Sequence, residues 1–175
     1  MKVTEIKELI EQGRDIGDII EIKQYISFVE KKLMCENIIN TCLIDNNGIL
    51  SCDIAMKKLS TDMAILTNYC DIEFGDKFIE EYDWLCEQGI IKYVDENMNG
   101  EEKYFIFNLI YEGIEEQIRS SNSVEAILSR GINKLIDKLP NDKQIKSLIK
   151  VASKEMKNFD PQKFEQIQQM LKVVK

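Results

Sequence analysis

The sequence predicts an all-α protein: a compact helical bundle of about seven or eight helices, with at most one short β-hairpin. Only eight glycines and two prolines interrupt the 175 residues, which favours long helices over a fold with many turns. Hydrophobic residues make up 44% of the chain and charged residues 31%, as in proteins that bury a core of their own. A chain of this length buries enough surface to fold without a disulfide or a metal ion.

Three helices are predicted in the first half of the chain. Their expected bounds are Thr4–Gln12, Ser27–Leu43 and Asp53–Cys70. Gly13 ends the first helix, and Ser27 and Glu30 form a capping box that opens the second. Asp53 is suited to cap the third, because its side chain can accept a bond from a free backbone N–H group. Residues 14–26 are expected to be a loose stretch and residues 45–48 a turn. Residues 49–53 are expected to form either a brief strand or the segment that leads into the next helix.

Five further helices are predicted in the second half. Their expected first or capping residues are Asp76, Glu101, Val124, Asp142 and Asp160. Gly89 ends the first of them, and residues 95–100 ("DENMNG") are expected to form a loop. The helix from Val124 is expected to end at Leu139, before Pro140. Two apolar stripes are expected to be buried: Phe78, Ile79, Tyr82, Leu85 and Cys86, then Phe107, Ile110, Tyr111, Ile114 and Ile118.

Charge divides the chain at the serine-rich turn Ser120–Ser123. Residues 1–119 hold 12 basic and 25 acidic side chains, a net charge of −13. Residues 120–175 hold 11 basic and 6 acidic side chains, a net charge of +5. We therefore predict an acidic helical body, 1–119, and a basic C-terminal three-helix segment, 120–175, packed together as one domain.

Several classes of activity are disfavoured by what the sequence lacks. It has no histidine, which removes Ser-His-Asp and Cys-His catalysis and histidine-ligated zinc. No glycine-rich phosphate loop or dinucleotide-binding fingerprint occurs, so no cofactor is expected. The N-terminal residues carry acids rather than an apolar signal core, and no stretch is apolar for long enough to span a membrane. We expect an intracellular protein that makes no membrane contact and is not an enzyme.

Three residue patterns suggest chemistry at first sight but are better explained by structure. The cysteines are odd in number and form no CxxC pair, so we expect reduced thiols in the core; they are Cys35, Cys42, Cys52, Cys70 and Cys86. Residues 95–106 imitate the start of a calcium-binding EF-hand loop, but the twelfth position is Ile106 instead of glutamate, so no metal is predicted. Adjacent carboxylates such as Glu101 and Glu102 diverge by about 100° on a helix and are expected to be solvated.

The most distinctive predicted surface lies in the segment "NDKQIKSLIKVASKEMK", residues 141–157. On a helix its five lysines fall within an arc of roughly 80°, nearly opposite an apolar stripe. We call them the lysine stripe: Lys143, Lys146, Lys150, Lys154 and Lys157. Two interpretations remain, an ordinary solvated helix face and an electrostatic docking face for a partner.

An acidic protein surface suits the lysine stripe better than nucleic acid does. The segment has no arginine to make bidentate contacts and no aromatic residue to stack on bases. A nearby acidic surface is residues 71–116, in the same chain or in a neighbouring copy of a homo-oligomer. Trp84 in that region is a second candidate contact, because tryptophan is a common interface anchor. The alternative for Trp84 is a half-buried position at the edge of the core.

Two runs resemble small acidic helical proteins encoded among bacteriophage virion and assembly genes. They are "EKKLMCENIINTCLIDNNGILSCDIAMKKLSTDMAILTNYCDIEF" (30–74) and "INKLIDKLPNDKQIKSLIK" (132–150). The likeness extends over most of the chain in the style and order of its segments, and it includes no catalytic or ligand-binding motif. It implies a non-enzymatic virion component or assembly factor, associated with the capsid or with the head–tail connection.

Two functions are therefore expected. The first is a phage structural or assembly protein that binds other virion proteins, located in the host cytoplasm during assembly and then in the virion. The alternative is a phage-encoded inhibitor of a host defence or replication protein, because an acidic body can imitate nucleic acid. The lysine stripe argues against simple mimicry of that kind.

Overall fold

The structure, a computed structural model, describes residues 1–136, except for the side chains at positions 132, 135 and 136. In this part the chain forms eight α-helices and one antiparallel hairpin, so the predicted all-α class is confirmed. The helices are α1 (Val3–Glu11), α2 (Ile16–Ile19), α3 (Phe28–Cys42), α4 (Ile54–Cys70), α5 (Phe78–Glu87), α6 (Ile90–Asn97), α7 (Gly100–Ser121) and α8 (Val124–Ile136). The strands are β1 (Leu43–Asn46) and β2 (Ile49–Cys52).

The chain divides into two units, residues 1–122 and a second unit that begins at Ser123. The predicted body, 1–119, differs from the first unit by the last turn of α7. Of the predicted basic segment, the structure describes α8, whose first turn is capped by the Ser123 hydroxyl as it accepts a bond from the Ala126 backbone N–H at 3.2 Å. The helices predicted from Asp142 and Asp160 lie outside the described residues. The packing of the whole chain as one domain stays a prediction.

Three predicted helix boundaries in the first unit are confirmed. The Ser27 hydroxyl accepts from the Glu30 N–H at 3.3 Å, and the Glu30 carboxylate accepts from the Ser27 N–H at 2.8 Å, which completes the capping box of α3. Asp53 caps α4 by accepting from the Met56 N–H at 3.0 Å. Gly89 ends α5 with φ +75°, in the left-handed region that glycine adopts at low cost.

The hairpin forms because its turn has the required residues. Asn47 and Gly48 both have positive φ, 59° and 90°, as a tight two-residue turn between twisted strands demands. The strands pair antiparallel, from Leu43 opposite Cys52 to Asn46 opposite Ile49. At the end of α7, the Asn122 side chain accepts from the Leu50 N–H at 2.8 Å and donates to the Leu50 carbonyl at 2.7 Å. These two hydrogen bonds to the backbone of β2 hold the hairpin beside the end of α7.

The core of the first unit is built around α3, which packs against both α4 and α7. Its buried face consists of Lys31, Met34, Cys35, Ile38, Ile39 and Cys42. On α7 the matching buried residues are Ile106, Ile110 and Ile114, a row with a spacing of four. The two helices are in close contact at Gly113, where an added Cβ atom would overlap Ile39 Cδ1. Glycine at this position is therefore a packing requirement of the α3–α7 contact.

Three local predictions are wrong, each at a short element. The short helix α2 forms inside the stretch that is predicted to be loose, residues 14–26. Asp76 does not cap α5, since the N-cap residue is Lys77 and no side chain provides a cap bond. Residues 95–97 belong to α6 instead of a loop, because α6 starts directly after Gly89 and buries Ile90 and Val94 one turn apart. Both α2 and α6 are too short for a clear periodic pattern.

The apolar stripe predicted for α5 is also only partly correct. Leu85 is buried, but Phe78, Ile79 and Cys86 are exposed. Trp84, which was expected to lie off this stripe, packs half-buried against the core. The inward direction of α5 is therefore set by Leu85 and Trp84.

Candidate functional site

The largest unexplained feature of the first unit is the outward side of α7. Its four aromatic residues are exposed, with 71% of Tyr104, 41% of Phe105, 43% of Phe107 and 58% of Tyr111 accessible. We call these four residues the α7 outer face. Phe107 and Tyr111 were predicted to be buried with Ile110 and Ile114, and that prediction is wrong. The compact isoleucines occupy the close contact with α3, which leaves the bulky rings of the neighbouring positions outside.

The exposed apolar surface continues from α7 onto the start of α3. Phe28 is 60% exposed, and its ring lies 6.5 Å from the ring of Phe105 at an angle of 63°, an edge-to-face contact. Tyr25 and Val29, on either side of Phe28, are exposed as well. A contiguous exposed apolar patch of this kind often marks a binding site.

Two open hollows flank the ridge of α7 and meet at Asn108. One, of about 440 Å³, runs along α7, the one described helix that lines it, and Tyr104 and Phe105 are part of its wall. The other, of about 380 Å³, lies between α4 and α7, where Ile54 faces Phe107 and Tyr111. The outer face is therefore a ridge with a groove on each side, a shape that suits the side chains of a protein partner better than a small molecule.

A buried ion pair lies below the aromatic residues. The Lys31 Nζ atom is 2.6 Å from Glu102 Oε1, and the two side chains are only 7% and 12% exposed. The Tyr69 hydroxyl donates to Glu102 Oε2 at 2.8 Å. We call these three residues the Lys31 network. Lys31 Nζ also lies 4.1 Å from the centre of the Tyr25 ring and 5.4 Å from that of Phe105, within the range of cation–π attraction.

The Lys31 network perturbs the acidities of its own members. Burial alone would raise the pKa of Glu102, but the hydrogen bonds from Lys31 and Tyr69 outweigh it and hold this pKa below its ordinary value of 4.5. Burial and the bond to Glu102 raise the pKa of Tyr69 well above its ordinary range. At neutral pH the network is therefore a carboxylate held by a cation and a neutral phenol. It positions α7 against α3 and sets the orientation of the nearby rings.

A second polar cluster surrounds Asp62 on α4. Asp62 is buried, its carboxylate lies 2.5 Å from Lys58 Nζ, and it accepts from the Tyr82 hydroxyl at 2.7 Å. Burial and the bond to Asp62 raise the pKa of Tyr82. A hollow of about 360 Å³ adjoins this cluster, and the exposed Cys86 lies on its wall. Both oxygens of Asp62 already have partners. Because Asp62 lies on α4 and Tyr82 on α5, their hydrogen bond connects the two helices.

The thiols follow the sequence prediction in part. Cys35, Cys42 and Cys70 are buried and unpaired by disulfides, as predicted, whereas Cys52 is half-buried and Cys86 is exposed. Burial raises the pKa of Cys35 and of Cys42 to about 11, and that of Cys70 to about 12. These three thiols are therefore protonated at neutral pH, as expected of thiols in a core.

The acidic residues that resemble an EF-hand opening have other partners. Asp95 is paired with Lys103, and the Asn99 side chain caps α7 by accepting from the Glu101 N–H at 2.9 Å. Within residues 1–136, no three side chains among the cysteines and carboxylates are grouped closely enough to hold a metal ion. The pair Glu101 and Glu102 diverges as predicted, but Glu102 is buried instead of solvated.

The predicted site residues fall mostly outside what the structure describes. Lys143, Lys146, Lys150, Lys154 and Lys157 all lie beyond residue 136, so the lysine stripe stays a prediction. Trp84 is half-buried on α5, with Lys7 Nζ 4.9 Å from the centre of its ring. This position matches the core-edge alternative, and a partner contact at Trp84 also stays a prediction.

No family model, no curated protein and no solved structure matches this chain. Among the described helices, none has the length and apolar character needed to cross a membrane. The geometry of the chain itself is therefore the basis for a functional proposal.

Sequence reasoning missed both the α7 outer face and the Lys31 network. For the network, the positions of Lys31 and Glu102 in the sequence are a signal. Lys31 stands where an apolar residue is expected, in register with Met34, Cys35 and Ile38 on the buried face of α3. Glu102 stands four residues before Ile106, at the start of the isoleucine row of α7. A lysine at the start of one buried stripe and a glutamate at the start of another indicate charged groups that are buried as a pair.

Proposed function

We propose that this chain is a non-enzymatic protein-binding component of the kind used in bacteriophage virions or in their assembly. It binds virion proteins, neighbouring copies of itself included, at the capsid or at the head–tail connection, and the α7 outer face is its contact surface. The observation that supports this proposal is the exposure of Tyr104, Phe105, Phe107 and Tyr111 on a single helix. Aromatic residues are strongly enriched among the contacts that dominate protein interfaces.

The polar groups of the first unit favour binding over catalysis. Glu102 and Asp62, its two carboxylates with buried surroundings, are each held by a lysine and a tyrosine, so neither is free to accept a proton from a substrate. In the described part of the chain, the hollows beside α7 are open, and most of their lining surface is apolar. The location that fits this role is the host cytoplasm during assembly and then the virion.

The test is whether the chain is part of purified particles, and whether the α7 outer face is needed. Particles are purified from infected cells that produce the wild-type chain or the variant Phe107→Ser with Tyr111→Ser, and the chain is quantified by mass spectrometry. A matched control is Phe78→Ser with Ile79→Ser, since these neighbours on α5 are exposed to a similar degree, 42% and 46%. We expect the wild type and the control in the particles, and the α7 variant strongly reduced. Absence of the wild-type chain from particles and from assembly intermediates contradicts the proposal.

The acid excess of residues 1–119 supports a second candidate, an inhibitor of a host defence or replication protein. Such an inhibitor binds a nucleic-acid-handling host protein in place of its ligand. A pull-down from host lysate with the purified chain separates the two functions, because an inhibitor retains that host protein in a salt-sensitive way. The α7 outer face favours the structural role, since apolar rings contribute nothing to nucleic-acid mimicry.

A further inference from the structure

The α7 outer face has unpaired charges of opposite sign on its two sides. Lys57 lines the hollow between α4 and α7, and Glu112 lines the hollow on the other side of the ridge. Neither residue forms a salt bridge with any residue of the described chain, whereas the neighbouring Lys58 is bound to Asp62. Among the described residues, the wall of the first hollow has lysines and no acid, and the wall of the second has glutamates and no base.

We infer that the α7 outer face binds a second copy of this chain, as a two-fold dimer in which Lys57 of each copy faces Glu112 of the other. This inference rests on the proposed function, because it takes the same face as the contact surface and names its occupant. A surface with a basic edge, an apolar ridge and an acidic edge is complementary to itself. Each dimer then forms the charge pair twice, around a central contact between aromatic rings.

The positions of the charges also fix the direction of the two-fold axis. A rotation about an axis that runs along α7 exchanges the two edges, so the basic edge of one copy meets the acidic edge of the other. A rotation about an axis across α7 leaves each edge opposite itself, which places Lys57 against Lys57 and Glu112 against Glu112. Repulsion between like charges disfavours that arrangement. The axis along α7 also brings Asn108, at the centre of the ridge, close to its own copy.

The four rings of the α7 outer face supply about half of the area of a typical dimer contact. An aromatic side chain has about 200 Å² of surface, so the four exposed rings, roughly half accessible, contribute about 400 Å² per copy. A stable interface buries about 800 Å² per partner. Phe28 and Ile54, which extend the face toward α3 and α4, are 60% and 74% exposed and supply part of the remainder.

A partner of one charge sign fits this face less well than a second copy does. A basic protein segment is attracted by Glu101 and Glu112 but repelled by Lys57 on the other edge. An acidic partner meets the opposite problem. Only a partner with both signs in the reverse order satisfies both edges, and a second copy has that order by symmetry.

The experiment reverses the charge of Lys57 or of Glu112 in single variants, and then restores the opposite-charge pair in a double variant that has both changes. Sedimentation equilibrium of the full chain is measured for the wild type, Lys57→Glu, Glu112→Lys and the double variant. Glu87→Lys on α5 is the control, because it changes the net charge as Glu112→Lys does. Circular dichroism confirms that each variant is folded. We expect a wild-type dimer, a loss of affinity of tenfold or more in each single variant, and recovery to within about threefold in the double variant. The control should dimerise like the wild type.

Three results overturn the inference. The first is a wild-type chain that stays monomeric up to about 100 μM, because a dimer contact of this kind should form below that concentration. The second is a dimer that both single variants leave unchanged. The third is a double variant weaker than either single variant, because additive losses exclude a direct pairing of the two side chains.

A second measurement tests the axis. In a Cys86→Ser background, Asn108→Cys is expected to form a disulfide between copies under mild oxidation, whereas Glu87→Cys is not. An Asn108→Cys chain that stays uncrosslinked while the wild type dimerises rules out the axis along α7. The proposed function is tested independently: a monomer that is found in particles overturns the dimer alone, and a dimer that is absent from particles and assembly intermediates overturns the proposed function alone.

Discussion

The two sides of α7 differ in a way that separates folding from recognition. The inward side has Ile106, Ile110 and Ile114, which are buried against α3. The outward side has four aromatic residues that are 41% to 71% exposed. Both sides have large apolar residues, so the presence of such residues alone does not decide which side is buried. The decision follows from shape, since α3 and α7 approach closely enough at Gly113 to admit isoleucines and exclude rings.

The Lys31 network joins these two sides. Its ion pair with Glu102 crosses the α3–α7 contact from inside, while the same ammonium group lies against the rings of Tyr25 and Phe105 on the outside. We therefore expect changes on the inward side to reduce the free energy of unfolding, changes on the outward side to reduce association, and changes in the network to affect both.

The largest effect is expected from Lys31→Ala. This variant leaves the Glu102 carboxylate buried without its cation, which typically costs about 3–5 kcal/mol of the free energy of unfolding. Urea unfolding followed by circular dichroism measures it. Lys32→Ala, at the exposed neighbouring position, is the control and should change the stability by less than about 0.5 kcal/mol. Equal stabilities for the two variants contradict a structural role for the ion pair.

The neighbours Ile110 and Tyr111 test the two sides of α7 directly. Ile110 is 3% exposed and Tyr111 is 58% exposed. Ile110→Ala should lower the free energy of unfolding by about 2–5 kcal/mol, because it removes buried methyl groups and leaves a cavity. Tyr111→Ala should leave the stability within about 0.5 kcal/mol and reduce self-association. Denaturant unfolding measures the stability of both variants, and sedimentation measures their self-association. An equal loss of stability in the two variants contradicts a buried Ile110 side and an exposed Tyr111 side.

Gly113→Val tests the close approach of the helices. The added side chain overlaps Ile39, so α3 and α7 must move apart, which typically costs about 1–3 kcal/mol. The matched control is Gly100→Ala at the first position of α7, where an added Cβ has open space. Thermal unfolding should show a clear decrease for Gly113→Val and little change for Gly100→Ala. No decrease in the first variant means that the contact is looser than its geometry indicates.

A smaller effect is expected from acid. Because the pKa of Glu102 in the folded chain is lower than its ordinary value of 4.5, its contribution to stability is fully present above that value. It is lost as the pH falls from about 4.5 through the lower folded value. Glu102→Gln has no such group, so its stability should depend less on pH in this range than that of the wild type. Urea unfolding at pH 6 and at pH 3.5 compares them, and parallel losses in both proteins argue against the predicted linkage.

Much of the fold follows from the sequence where one residue has one local role. The capping box at Ser27, the Asp53 cap and the Gly89 stop depend only on backbone bonds within a few residues, and all three are confirmed. The hairpin turn at Asn47 and Gly48 belongs to the same class. Short elements such as α2 and α6 are missed because one or two turns are stabilised by tertiary contacts that no local pattern records.

The candidate site could not be predicted in the same way. On α7 the residues Phe107, Ile110 and Tyr111 occupy a plausible helical stripe, and the choice between this stripe and the isoleucine row depends on how close α3 comes. The burial of Glu102 depends on Lys31, which lies 71 positions earlier in the chain. The sequence marks each of these two residues as a charge in an apolar stripe, but that they pair with each other follows only from the fold.

The smallest effect on stability is expected from Lys146→Glu with Lys150→Glu in the lysine stripe. Both positions are predicted to be exposed, so the free energy of unfolding should stay within about 0.5 kcal/mol of the wild type. The effect on association separates the two contact surfaces. If the stripe docks on acidic surfaces of virion proteins, this variant should bind particles more weakly while its self-association through α7 stays intact, because the rings and the Lys57–Glu112 pair do not involve it. Particle binding and sedimentation of one sample measure both quantities. If particle binding is unchanged, the stripe is an ordinary solvated helix face, and if the dimer is also lost, the two surfaces act together.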